Sequence, residues 1–319
     1  MILFLLLLSA CAPTTNTTTA PTSLAYITNQ GDNTVSVIDI SQNKVISTIK
    51  VGLAPVGVAG SAKLQRVFIS NVESNNISVI DTANNTVIKT IALQGSPVGL
   101  AMAPNHRTLY VADWFSDKIL AINTANYDDR REVIVAKAPA GLVVSADSNT
   151  LFVAARDSNE VAVIDTKSFS ISKRIKAGKH PFGLSLGSNA TLYVVNVYDN
   201  TVSAINTNTW AQRLIQVGEH PYCAVASTDN KTLYVTNTQD DTVSVIDLDA
   251  LKTSDDQTIT LIDVGMTPEG ISYDALSQQV LAASWGENKV SVIDAKTNKL
   301  INHINTGDKS RAFGEFILQ

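Results

Sequence analysis

His180 and His220 each stand immediately before a proline, in the tetrads His180-Pro181-Phe182-Gly183 and His220-Pro221-Tyr222-Cys223. Imidazole exchanges protons near neutral pH and ligates zinc or haem iron, and a thiolate ligates the same metals. His180, His220 and Cys223 are therefore the first set to weigh as a metal site. Residues three apart on an extended strand project to opposite faces, so spacing alone does not bring His220 and Cys223 together. Cys223 also stands where the related steps carry Gly57, Gly99, Gly141, Gly183, Gly270 and Gly314, which points to a small packing residue. No zinc or non-covalent haem is expected on this basis. C-x-x-C-H for covalent haem is missing, as are G-x-S-x-G, H-E-x-x-H and a phosphate loop. His106 and His303 fall in turn and outer-strand positions and read as solvated.

What must position these groups is a repeat. The phrase V-S-V-I-D and its variants close at Asp39, Asp81, Asn123, Asp165, Asn206, Asp247 and Asp294, with gaps of 42, 42, 42, 41, 41 and 47 residues. A period of forty-odd residues denotes stacked supersecondary units. Each unit opens with a P-x-G step into a short apolar strand, as in Pro97-Val98-Gly99-Leu100-Ala101-Met102. An aromatic, β-branched second strand follows, such as Leu233-Tyr234-Val235-Thr236-Asn237. Next come a third strand of the Thr242-Val243-Ser244-Val245-Ile246 kind and a polar fourth, like Val87-Ile88-Lys89-Thr90-Ile91. Four short strands per unit without helical periodicity predict an all-β, seven-bladed β-propeller of four-stranded blades over 24–319. The recurring Asp or Asn is expected to cap turns rather than to form a carboxylate series.

Tyr234-Val235-Thr236-Asn237 with Thr242-Val243-Ser244-Val245-Ile246-Asp247 resembles the YVTN repeat of bacterial and archaeal surface and envelope propellers. Strand order is also similar to WD-type propellers, without the Trp-Asp dipeptide. The P-x-G step occurs at Pro55, Pro97, Pro139, Pro181, Pro221 and Pro268, with a degenerate copy at Ala312-Phe313-Gly314, and the aromatic strand starts at Ala25-Tyr26-Ile27-Thr28-Asn29. The chain thus begins at a second strand and ends at a lone first strand, 313–318. By analogy the first strand is innermost, and the C-terminal strand should complete the N-terminal blade and close the ring. The surplus of the longest spacing lies in 249–257 and reads as a longer third-to-fourth-strand connection.

Laid on this ruler, the residues before the P-x-G steps are Ala54, Ser96, Ala138, His180, His220, Thr267 and Arg311. Those after the proline are Val56, Val98, Ala140, Phe182, Tyr222, Glu269 and Phe313, and Lys179 precedes His180. The second-to-third-strand turns on the same face add Trp114, Phe115, Arg156, Tyr198 and Trp285. The first three copies are small and bland, whereas the last four carry the charge and aromatic bulk. This rim, over the mouth of a central channel, is where a protein, peptide or glycan is expected to bind. The competing reading is that the aromatics merely roof the channel.

Composition narrows the classes further. The 319 residues are 45% hydrophobic and 17% charged, with a formal charge of −5 and no basic run, which excludes a nucleic-acid surface. Residues 1–10 form a short apolar leader without a basic n-region, too short to span a bilayer. Leu8-Ser9-Ala10-Cys11 resembles a lipoprotein signal, with Cys11 as the lipidated mature N-terminus and 11–23 as a Pro/Thr/Asn-rich tether. An exported, membrane-anchored protein of the cell envelope is expected, on the periplasmic side of the outer membrane or the cell surface, and a monomer. With Cys11 acylated, Cys223 has no disulfide partner. The function so implied is a non-enzymatic binding or scaffold module. The alternatives are a propeller lactonase-type hydrolase, which the resemblance permits, and a haem- or metal-binding redox accessory. Glu219, Glu269, His180, His220 and Arg311 would have to serve the lactonase reading.

Overall fold

The computed structural model describes residues 23–253 and 259–318. The leader, Cys11 and all of the tether but Ser23 lie outside the described residues. The repeat folds into a seven-bladed β-propeller of four-stranded antiparallel blades. Blades 2 to 7 occupy 55–92, 97–134, 139–176, 181–216, 221–263 and 268–305. Blade 1 joins Leu24–Asn29, Thr34–Asp39 and Lys44–Lys50 to the C-terminal Ile317–Leu318.

Burial explains the strand grammar. Second and third strands are sandwiched between neighbouring blades, so Arg66–Asn71 and Asn76–Asp81 are buried along nearly their whole length. The fourth strand is the outer edge, and Thr86–Ala92 is exposed except at Ile91. The glycine of each P-x-G step has a steric cause. A Cβ on Gly99 would collide with the Ala140 carbonyl of the next blade, so this seam takes glycine where the two first strands converge.

The tyrosine-to-asparagine motif is a tie. Asn237 donates through Nδ2 to Thr242 Oγ1 and Ser244 Oγ, each at 2.9 Å, joining second and third strands. Asn196 repeats this with Thr201 and Ser203, and its Oδ1 accepts from Gly178 N at 3.0 Å. The tyrosine reaches across the seam: Tyr234 Oη donates to Asn298 Oδ1 at 2.8 Å, and Tyr26 Oη to Asn85 Oδ1 at 3.0 Å. The closing acids cap turns as expected. Asp39, Asp81, Asn123, Asp165, Asn206, Asp247 and Asp294 each accept from a backbone N–H two or three residues on.

Ring closure follows the predicted scheme, with one departure. Leu24 and Ala25 pair with Leu318 and Ile317, so the C-terminal strand completes blade 1. The lone first strand is not continuous, however. Ser310 bridges Asn29, then Phe313–Glu315 leaves blade 1 and pairs in parallel with Gly57, Val58 and Ala59 of blade 2. The chain returns where Tyr26 N donates to Phe316 O at 2.9 Å. Gly314 makes the excursion possible with φ +110°, and a Cβ there would also strike the Val58 carbonyl. This detour pushes a short finger into the central lumen. The long spacing before Asp294 is accounted for by a third-to-fourth-strand connection in blade 6 that contains a one-turn helix, Ala250–Thr253. The stretch 254–258 lies outside the described residues.

Candidate functional site

The face bearing the fourth-to-first and second-to-third-strand turns is the upper face. Backbone hydrogen bonds set the true register of its seven copies. At His180 and His220 the backbone N–H is held by Asn159 Oδ1 at 2.9 Å and Asn200 Oδ1 at 3.0 Å. The same bond in the last copy is made by Lys309, to Asn288 Oδ1 at 2.8 Å. Likewise Ala312 N donates to Thr28 Oγ1 at 2.9 Å, as Cys223 N does to Thr236 Oγ1 at 3.0 Å. The degenerate step is therefore Ser310-Arg311-Ala312, two residues before Ala312-Phe313-Gly314. The offset is the two residues that the finger adds: residues past it follow the sequence register and those before it do not. Arg311 thus belongs with Tyr222 and Glu269, and Lys309 takes the place assigned to it beside His180 and His220.

That correction divides the expected rim into two layers. In the inner layer, Val56, Val98, Ala140, Phe182, Tyr222, Glu269 and Arg311 converge on the axis. Arg311 Nε is ion-paired with Glu269 Oε2, at side-chain exposures of 18% and 13%. Arg311 Nη2 also donates to Tyr222 Oη at 3.1 Å, and Nη1 to Gln30 Oε1 at 3.3 Å. Burial pushes the Glu269 carboxyl up and the Arg311 guanidinium draws it back down. Burial opposes the charge on Arg311, yet Glu269 and Tyr222 hold it protonated. The Phe182 ring packs at a tilt against Tyr222 at 4.1 Å between centroids and against Phe313 at 4.8 Å, with Trp114 at 5.9 Å. Three blades offer small side chains and four offer large ones, so the large ones fill the axis. The upper face does not open on the channel, contrary to expectation, because this layer and the Phe313 finger plug it.

The outer layer is the exposed rim. The His180 ring lies 4.1 Å from that of Tyr198, and Tyr198 lies 5.0 Å from His220, edge on. Tyr198 thus stands between the two histidines and keeps them apart. Cys223 is buried below, its Sγ against Gly183, so His180, His220 and Cys223 do not form one ligand set. Burial pushes the Cys223 thiol far up. Desolvation lowers the His180 pKa, Arg156 adds to this, and Asp157, with Oδ1 at 3.9 Å from Nδ1, opposes it. Arg156 lies over Trp114 at 5.1 Å, and Lys309 over Trp285 at 5.3 Å. Trp285 Nε1 donates to Gln30 Oε1 at 3.1 Å. Lys179 reaches outward to Asp199 at 3.5 Å. Phe115 and Tyr198 are 76% and 50% exposed, and occupy one equivalent turn position in blades 3 and 5. Trp114 roofs the axis, whereas Phe115 and Tyr198 face solvent.

The sequence reading placed Phe182 and Phe313 on the rim but passed over Gln30, Lys309 and Glu315. Gln30 was within reach of it, being the first copy of the turn position that later holds Trp114, Arg156 and Trp285. Lys309 and Glu315 were hidden by the two-residue detour. Donor sets for a metal are lacking too: among the described residues no three His, Cys, Asp or Glu side chains gather. Glu269, the only carboxylate of the inner layer, is held by Arg311. The residues present do not fit a divalent-metal centre of the lactonase kind.

Comparison with known proteins agrees with this architecture. Residues 58–191 match a family described as YNCE-like beta-propeller, and 196–313 match the SMP-30/Gluconolactonase/LRE-like region. No curated protein matches the chain. Among solved structures, Kuenenia stuttgartiensis hydrazine synthase superposes with a TM-score of 0.76 at 19% identity, over 84% of this chain and 91% of that one. A functionally unknown protein from Desulfotomaculum acetoxidans gives 0.74 at 13% identity, over 92% of this chain and 100% of that one. Virginiamycin B lyase from Staphylococcus aureus gives 0.67 at 17% identity, over 79% and 84%. At such identities the likeness is one of fold.

Proposed function

We propose that this chain is a lipid-anchored envelope propeller, akin to the YVTN-repeat proteins, that binds a protein, peptide or glycan on its upper rim without catalysing a reaction. The observation that carries this reading is the exposed strip across blades 3 to 5. Phe115 and Tyr198 present aromatic surface, backed by Trp114 and flanked by Arg156, His180 and His220. Aromatic side chains with adjacent cations and few rotatable bonds are well suited to capture extended partners. Orientation supports it. Leu24 lies at the opposite face, where Ser23 Oγ donates to Asp274 Oδ1 at 2.7 Å, so a tether attached there turns the rim outward.

A lactonase reading draws on the SMP-30/gluconolactonase match over 196–313, which includes Tyr222, Glu269 and Arg311. Those groups are paired with one another inside the plug, and Glu269, the carboxylate among them, is held by Arg311. A haem-binding accessory is disfavoured by the Tyr198 ring between the two histidines. The test uses purified protein on peptide and glycan arrays and with a panel of sugar lactones. Saturable capture without lactone turnover is the expected result; turnover lost in Glu269→Gln would overturn the reading in favour of the hydrolase.

A further inference from the structure

Below the plug, the lumen widens into a cavity of about 1030 Å3 that opens on the lower face, away from the rim. That is just above the roughly 300–1,000 Å3 typical of small-molecule pockets. Its wall is mostly apolar, including Leu100, Leu142, Val143, Leu184, Val225 and Ile271. Phe313 and Cys223 belong to its roof, and no lysine or arginine lines it.

One ionisable group projects into this space without a partner. Glu315 sits at the end of the finger Phe313–Glu315, held in the lumen by parallel pairing with Gly57, Val58 and Ala59. Among the described residues no hydrogen bond or ion pair engages its carboxyl. The other titratable side chains at the cavity are all occupied or inert. Asp147, at the mouth, accepts from Ser145 Oγ at 2.5 Å, Asn149 N at 3.0 Å and Asn149 Nδ2 at 2.8 Å. His106 Nδ1 lies 2.9 Å from Ser61 Oγ, and the Cys223 thiol is buried. Glu315 is exposed to the lumen, and the walls around it push its carboxyl up.

The detour that carries Glu315 gives the group a built setting. An unbroken first strand would have continued along blade 1 without crossing to blade 2. Two added residues and the φ +110° of Gly314 take the chain across to blade 2 instead. We propose that the lower cavity is a binding site for a small organic monocation with an apolar body, its ammonium or delocalised charge paired with Glu315. An apolar wall with a single unpaired carboxylate and no lysine or arginine selects this chemistry: a cation finds its counter-charge at Glu315, and an anion is repelled by it.

The test is a fluorescence-anisotropy titration of the purified protein with rhodamine 6G, an apolar cation, and with fluorescein, an anion on a similar ring system. Saturable binding of rhodamine 6G at one equivalent is expected, with no binding of fluorescein. Glu315→Gln preserves shape and removes only charge, so it should weaken rhodamine 6G at least tenfold while melting at the same temperature or higher. Leu142→Trp, which fills the wall, should weaken it as well. Absence of saturable binding, equal binding by Glu315→Gln, or equal binding of the two dyes would overturn the proposal. The rim residues play no part in these readouts, so the result stands apart from the function proposed above.

Discussion

Removing the Arg311 guanidinium strands the Glu269 carboxylate in a largely buried layer. Arg311→Met should therefore cost about 3 kcal/mol, while adding Glu269→Gln should recover part of that loss because the uncompensated charge is gone. Urea unfolding of the single and double variants checks it, and an additive double variant would contradict the pairing. The turn acids act at the other end of exposure. Backbone N–H groups of Ser168 and Thr297 hold Asp165 and Asp294 below the usual 3.8. Groups depressed on folding contribute stability that is present above their unfolded pKa and lost as pH falls through the folded value. Unfolding midpoints should thus drop between about pH 5 and about pH 3, and Asp294→Asn should flatten that slope; an unchanged slope would refute the cap's electrostatic role. Cys223, buried with its thiol pushed far up, should resist thiol reagents until the protein unfolds. Labelling at native conditions would show the packing role to be wrong. These side-chain roles were unevenly legible. The capping acids announced themselves by sevenfold recurrence, whereas the Arg311–Glu269 pair depended on a register that no residue type marks.

At the scale of the element, the finger Phe313–Glu315 and the strand Ile317–Leu318 decide closure. Deleting 313–319 exposes the second strand of blade 1 and removes Phe313 and Phe316, each worth about 1.5–3 kcal/mol when buried. The melting temperature should fall by about 10 °C, and an unchanged melt would sink the closure scheme. Blade number, strand order and the closing strand could be read from the V-S-V-I-D ruler because each copy must fill the same wedge between its neighbours. The finger could not. A ruler measures spacing between copies, and the last copy has no successor to expose two extra residues. The misaligned Arg311 and Phe313 both trace to that missing interval. Conversely, the insertion around 249–257 was visible because Asp294 lies beyond it.

For the whole molecule, the plug separates two faces with different chemistry. The upper face carries the aromatic and basic strip of blades 3 to 5, and the lower face carries the apolar cavity and Leu24, where the first strand of the chain begins. The concentration of unusual residues in particular copies was legible as soon as the copies were aligned. That the axis beneath them is sealed was not, since sealing depends on how far Phe182, Tyr222 and Phe313 reach across it. The proposed function places the work of this protein at the exposed rim and not in a reactive channel. Its most direct test compares wild type with a Phe115→Ser/Tyr198→Ser double variant on peptide and glycan arrays, with melting curves alongside. Both side chains are solvent-facing, so the fold should be undisturbed and capture should fall at least tenfold. A variant that captures as well as the wild type, or a wild type that captures nothing, would contradict the account.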